Sequence, residues 1–156
     1  MQKDFDRWNK VKKEVNALEL RTDVFYHERE VWWCSIGLNV DVETDGKQAN
    51  FERPVLVLRK FNKEMFWGIP LTSKPRKGKY YEKVIHDKGV AWVMLTQMRV
   101  FSSKRLLRKI GMLSTEDFRN IQKRIYELLI IKIEPLQKEG LSEAEATNKA
   151  SIYGHD

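Results

Sequence analysis

Pro54-Val55-Leu56-Val57-Leu58-Arg59-Lys60-Phe61, then Asn62-Lys63-Glu64, then Met65-Phe66-Trp67-Gly68-Ile69-Pro70-Leu71, is the stretch on which the fold turns. Two dense apolar runs flank three polar residues, and that predicts a pair of antiparallel strands joined by a short turn. Working outward, Lys79 to Ile85 and Val90 to Leu95 predict a second pair, turning at His86-Asp87-Lys88-Gly89. Upstream, Glu30 to Ile36 is β-branched and aromatic, is bounded by Gly37, and leads into a polar loop from Asn39 to Glu52. Alternation along that strand sends Trp32 and Cys34 into the core and Trp33 the other way. Short strands at this spacing predict a mainly β (α+β) fold, a small barrel or sandwich.

Helical spacing appears only at the two ends. Phe5, Trp8, Val11, Val15 and Leu18 share one face of a predicted helix over Asp4 to Leu18. Near the other end Ser114 stands at an N-cap position, with Asp117 where a capping-box acid belongs. Phe118, Ile121, Ile125, Leu128 and Leu129 mark the apolar face that follows, and Pro135 limits this helix at about Glu134. A further helix is expected from Ser142, with Glu145 as its capping partner. The chain thus divides into an amphipathic extension (1–22), a barrel with its helix (23–134) and an acidic tail (135–156).

At 156 residues a single domain buries about two-thirds of its unfolded surface, so no staple is needed. One cysteine, Cys34, rules out an internal disulfide and suits a reducing compartment. The charged start (Lys3, Asp4, Asp6, Arg7) does not read as a signal peptide, and the aliphatic run Leu128 to Ile131 is far short of a membrane span. A cytoplasmic protein with no membrane partner is expected.

The formal charge of +7 is unevenly spread. Lys74, Arg76, Lys77, Lys79, Lys83 and Lys88 face only Glu82 and Asp87 between Thr72 and Gly89. Arg99 to Ile110 holds five basic residues and no acid. The tail after Ile133 is acidic. Either the middle of the chain meets a polyanion, or it is a solvated basic face.

Asp41, Glu43, Asp45, Gly46 and Glu52 nearly spell a calcium loop. Strands instead of helices flank it, Gln48 occupies the apolar position, and Glu43 is too long for its place. His27, His86 and His155 stand without a second ligand at helical or strand spacing. No metal and no cofactor are expected.

The residues Val31-Trp32-Trp33, Gly37, Arg53-Pro54-Val55-Leu56-Val57-Leu58, Ile69-Pro70-Leu71-Thr72-Ser73, Leu95-Thr96-Gln97-Met98-Arg99, Lys104-Arg105-Leu106 and Ile110-Gly111-Met112-Leu113-Ser114 carry a resemblance. In order and spacing, from about Glu28 to Ile133, they resemble the PemK/MazF toxins of type II toxin–antitoxin pairs. The resemblance implies an SH3-like barrel of five to seven strands with a C-terminal helix. It implies a homodimer that cleaves single-stranded mRNA without a metal, leaving a 2′,3′-cyclic phosphate and a 5′-hydroxyl. It also implies an antitoxin with an acidic C-terminal segment, and DNA binding by the toxin–antitoxin complex. The family's functional arginine falls on Arg53 and its threonine on Thr72, and the polar loop before Arg53 corresponds to a mobile loop bordering the RNA.

Those residue types suit that chemistry. Attack by a ribose 2′-hydroxyl on the adjacent phosphate builds negative charge on the phosphoryl oxygens, which a guanidinium can clamp without losing its proton. A Thr72 hydroxyl adds a neutral donor. Ser73, Lys74, Arg76, Lys77 and Lys79 follow directly and would track a phosphate backbone, while Trp67 or Tyr80 would stack on bases. Plainer roles stay open: Arg53 pairs with Glu52, Thr72 and Ser73 close a turn, Gln97 ends a strand instead of touching a base, and Trp67 packs in the core. His86 falls in a turn facing solvent. Two other functions share the barrel: an RNA-binding module without chemistry, and a gyrase poison.

Overall fold

The computed structural model describes residues 3–19 and 24–130. The acidic tail, the Pro135 boundary and the helix expected from Ser142 lie outside the described residues. The elements are α1 (Phe5–Ala17), β1 (Glu30–Ser35), β2 (Glu52–Lys60), β3 (Met65–Thr72), β4 (Tyr81–His86), β5 (Gly89–Met94), β6 (Arg99–Ser102), β7 (Leu106–Met112) and α2 (Thr115–Leu129). Short 3-10 turns at Leu95–Gln97 and Ser103–Arg105 flank β6.

The central hairpin forms as its sequence requires. Val55 pairs with Pro70, Leu56 with Ile69 and Val57 with Gly68. At the turn the Asn62 side chain accepts from the amides of Glu64 (2.8 Å) and Met65 (2.9 Å), closing the bend locally. β2 reads as an unbroken apolar run because both of its faces are covered. Leu56 and Leu58 join Val31, Ile69 and Leu71 under Phe118, Ile121 and Ile125 of α2. Val55 and Val57 point the other way, toward Trp32, Cys34, Phe66 and Phe101. Burial pushes the Cys34 thiol up to about 12, so it sits there as a small apolar side chain.

Seven strands make one antiparallel sheet in the order β4-β5-β3-β2-β1-β7, with β6 also paired to β3. β6 runs along the first half of β3 (Met65 opposite Ser102), and β5 takes over at Leu71 and Thr72. Residues 89–102 thus act as one long strand broken by a 3-10 turn. The sheet curls until the β4–β5 tip meets β7: a Cβ on Gly111 would lie 2.5 Å from the Asp87 carboxylate. No ladder joins β7 to β4, so the expected barrel is a curled sheet that stops short of closing.

Both helices are capped, α2 by the residue the sequence indicated. Asp4 accepts from the Arg7 amide at 2.9 Å, and Ser114 accepts from the Asp117 amide at 3.0 Å. On α2 Phe118, Ile121 and Ile125 are buried, whereas Leu128 and Leu129 face solvent. Of the five apolar positions expected for the first helix only Trp8 is buried. Its ring covers Gly37, whose φ of +88° favours glycine, and meets Phe51 edge-on at 5.4 Å. Among the described residues no helix is long and apolar enough to cross a membrane.

Candidate active site

Arg53 enters on the first residues of β2 and Thr72 stands on the last residue of β3. These positions are adjacent because β2 and β3 are antiparallel, so the start of one lies beside the end of the other. Both side chains line one cleft of about 340 Å³. Ser73 lines it too.

The guanidinium is held from behind. Arg53 Nε donates to the Asp45 carbonyl at 2.7 Å and Nη1 to the Leu71 carbonyl at 3.3 Å. Two of its five N–H groups are thereby spent on fixing the plane, and three remain. Burial draws its pKa down, the carboxylate of Asp45 opposes this, and the positive charge of Arg76 adds to it. An arginine nonetheless stays charged. Thr72 is buried, and its Oγ1 accepts from the Lys74 amide at 3.2 Å, which leaves the hydroxyl proton free to be donated.

Glu52 does not pair with Arg53. It is buried, and it accepts both Nη1 and Nη2 of Arg108 at 2.8 and 2.7 Å. Arg108 in turn lies 5.0 Å over the Trp33 ring, which lines the cleft. The calcium-like loop is likewise committed to other work. The Asp45 carboxylate binds the Asn39 amide (2.6 Å) and Lys3 (2.8 Å), and Glu43 accepts from the Val40 amide.

The remaining expected residues divide. Lys74, Arg76, Lys77 and Lys79 are exposed on the segment after Thr72 and do not line the cleft, although Arg76 is near enough to depress Arg53. That segment is tied down where Arg124 of α2 donates to the Lys79 carbonyl at 2.7 Å. Gln97 lies outside the cleft: its Oε1 accepts from the Thr44 amide (3.0 Å) and its Nε2 donates to the Val42 carbonyl (3.3 Å), so both ends of the amide position the loop. Trp67, expected to pack in the core, is 41% exposed against Phe61.

The cleft also takes in polar and aromatic residues that the sequence did not place there, among them Trp33, Lys47, Gln48, His86 and Lys88. The turn at the β4–β5 tip is two residues shorter than expected, so His86 pairs with Gly89 as a strand residue and is half-buried. Its Nδ1 accepts from the Lys88 amide at 3.1 Å, which places the proton of the neutral ring on Nε2. Burial lowers its pKa, with Asp87 opposing. No local pattern signals this, because the sheet's curl brings the hairpin tip over β7.

Residues 27–129 match the family of PemK-like, MazF-like toxins of type II toxin–antitoxin systems. No curated protein sequence matches the chain. Among solved structures it is similar to MazF from Deinococcus radiodurans (TM-score 0.57, 16% identity, 69% of this chain and 98% of that one). It is similar too to the MazE–MazF complex of that organism (TM-score 0.53, 16%, 69% and 97%). A third is an endoribonuclease with its cognate antitoxin from a mycobacterial species (TM-score 0.54, 12%, 67% and 95%). At such identities these likenesses speak for the fold, while the matched span covers β1 to α2 and leaves α1 ahead of it. The chain belongs to the PemK-like, MazF-like toxins of type II toxin–antitoxin systems.

Proposed function

We propose that this toxin is an endoribonuclease that cuts single-stranded RNA with Arg53 and Thr72 and without a metal ion. The observation that carries the reading is the shared cleft, in which a guanidinium fixed by two carbonyls stands beside a hydroxyl with its proton to spare. Such a pair fits a phosphodiester whose equatorial oxygens gain charge in the transition state. The 2′-hydroxyl loses its proton and O2′ bonds to phosphorus. The bond to O5′ then breaks, and O5′ takes up a proton. The products are a 2′,3′-cyclic phosphate and a 5′-hydroxyl. The substrate supplies its own nucleophile, so no activated serine or cysteine is required.

RNA binding beyond the reacting phosphate falls to Ser73, Lys74, Arg76, Lys77 and Lys79, which continue from Thr72 along an exposed basic segment. An antitoxin with an acidic segment neutralises the same cations, and the toxin acts as a homodimer. Gln97 serves RNA indirectly, by fixing the loop whose Asp45 carbonyl holds Arg53.

Pure protein incubated with single-stranded RNA in EDTA tests the reading. Cleavage with cyclic-phosphate ends is the expected result. Intact RNA in the presence of folded protein would overturn it, and gyrase-dependent DNA breakage with RNA untouched would replace it with the gyrase-poison reading.

A further inference from the structure

Away from the cleft, α1 leans on the Ser103–Arg105 turn and encloses a second cavity of about 330 Å³. It shares no residue with the first. Asn9, Lys12, Lys13 and Asn16 reach it from α1, where positions i, i+3, i+4 and i+7 fall on one face. Lys104 and Arg105 reach it from the turn. No carboxylate lines it, and among the described residues Lys12, Lys13 and Arg105 form no ion pair. Lys12 and Arg105 also line an adjoining cavity with Arg99, so the positive seam is continuous. Burial lowers the Arg99 pKa, the neighbouring charge of Arg105 lowers it further, and Cys34 and Glu43 oppose both.

The seam has fixed walls. Arg105 donates to the Ser35 carbonyl at 2.8 Å and lies 5.7 Å over the Trp8 ring, and Lys104 donates to the Asn16 carbonyl at 3.0 Å. Lys12, Lys13 and Arg105, gathered with no carboxylate in the lining of their cavity, raise the energy of the empty protein, and an anion relieves it. Two amides distinguish the anion. The carboxylates of an acidic peptide ask only for donors, whereas the side chains of Asn9 and Asn16 each offer a donor and an acceptor, which matches a base edge.

We infer that the seam between α1 and the Ser103–Arg105 turn is a second RNA-binding site, taking backbone phosphates on Lys12, Lys13 and Arg105 and a base edge on Asn9 or Asn16. The inference rests on the endoribonuclease reading, because the strand it holds is the distal part of the RNA cut at Arg53. The helix that supplies one wall precedes the span matching the toxin family, whereas Lys104 and Arg105 lie inside that span, so the addition in this chain is the α1 side of the site.

The test uses full-length Arg53→Ala protein, with binding followed by fluorescence anisotropy. One labelled RNA of about six nucleotides fills a single site, and one of about twenty reaches both. Lys12→Glu with Lys13→Glu should weaken the long RNA about tenfold relative to the short one, and should flatten the log–log salt slope by about 1.4, or 0.7 for each lost phosphate. Asn9→Ala with Asn16→Ala keeps the charge and should lower the long-RNA preference with the salt slope unchanged. An unaltered ratio and slope in the lysine variant, with circular dichroism showing α1 folded, would overturn the site. So would loss of polyglutamate competition with the RNA ratio intact, which would assign the seam to an acidic peptide. Failure of wild-type protein to cleave RNA, with the ratio behaving as described, would sink the catalytic reading and spare the second site.

Discussion

In the Arg53–Thr72 cleft a single guanidinium is half-buried and pinned by the carbonyls of Asp45 and Leu71. In the α1 seam Lys12 and Lys13 sit on a helix that touches the rest of the protein mainly through one buried tryptophan. The first arrangement has paid its orientation entropy during folding, so its charge is ready where a transition state needs it. The second keeps long, exposed ammonium groups near water, which suits capture of a strand and adds little to a barrier. On the proposed reading, the fixed charge serves the chemistry and the loose charge gathers the strand.

Arg53→Ala should show the largest effect. Loss of one preorganised donor costs about 2.7–4 kcal/mol of transition-state stabilisation, a fall of about 100- to 1000-fold in cleavage rate. Single-turnover cleavage on gels reads it, with the thermal midpoint checking the fold. A rate near wild type would show that the pinned guanidinium is not the electrostatic centre.

Trp8→Ala strikes the other region. It removes the ring packed on Gly37 and Phe51 and should cost about 3 kcal/mol of helix docking. Hydrogen exchange across residues 5–17 should then accelerate, and the preference for long over short RNA should fall. Protection that persists would mean α1 is held by something other than this side chain.

Arg108→Ala sharpens the contrast from the cleft's rim. It leaves the buried Glu52 without either of its guanidinium donors. Arg108 is 54% exposed, and solvent screening puts the cost toward the low end of about 1–3 kcal/mol. Urea midpoints for wild type and variant measure it.

The smallest effect concerns Glu30, at the start of β1. Burial pushes its carboxyl up, but donors from Lys109 (2.6 Å), the Trp32 indole (2.9 Å) and the His27 amide (3.0 Å) outweigh that and hold the pKa below the ordinary 4.5. A carboxyl with a depressed folded pKa contributes stability above its unfolded value, and that stability is lost as pH falls through the folded value. The stability gap between wild type and Glu30→Gln should therefore be full at neutral pH and close below about pH 4.5. A gap independent of pH would mean the ionised form is not what the donors hold.

The hairpin of β2 and β3 was legible because its information is local: two apolar runs, one polar turn, and Asn62 at the bend. The α2 cap was legible for the same reason. β6 and β7 were not. Arg99–Ser102 is four residues long with one fully buried side chain, Phe101, and Leu106–Met112 carries Arg108 and Lys109 on an exposed edge. Their sequence reads as a basic stretch, and only pairing with β3 and β1 makes them strands. At the site, Arg53 and Thr72 were reached through the family resemblance. Trp33, His86 and Lys88 depend on how far the sheet curls, which no window of sequence contains. Gln97 read either as a polar strand end or as a base contact, and its amide is consumed by the backbone of residues 42–44.

The contact between Asp87 and Gly111 reaches beyond the cleft. A sheet that fails to close exposes a rim of unpaired amides, the template on which a second chain can add itself and begin a fibre. Here the rim at β7 is guarded by a carboxylate overhead and by Arg108 and Lys109 alongside. Any side chain at Gly111 would push Asp87 away and bare that rim. Gly111→Val should therefore betray itself as turbidity on storage well before it betrays itself as lost activity.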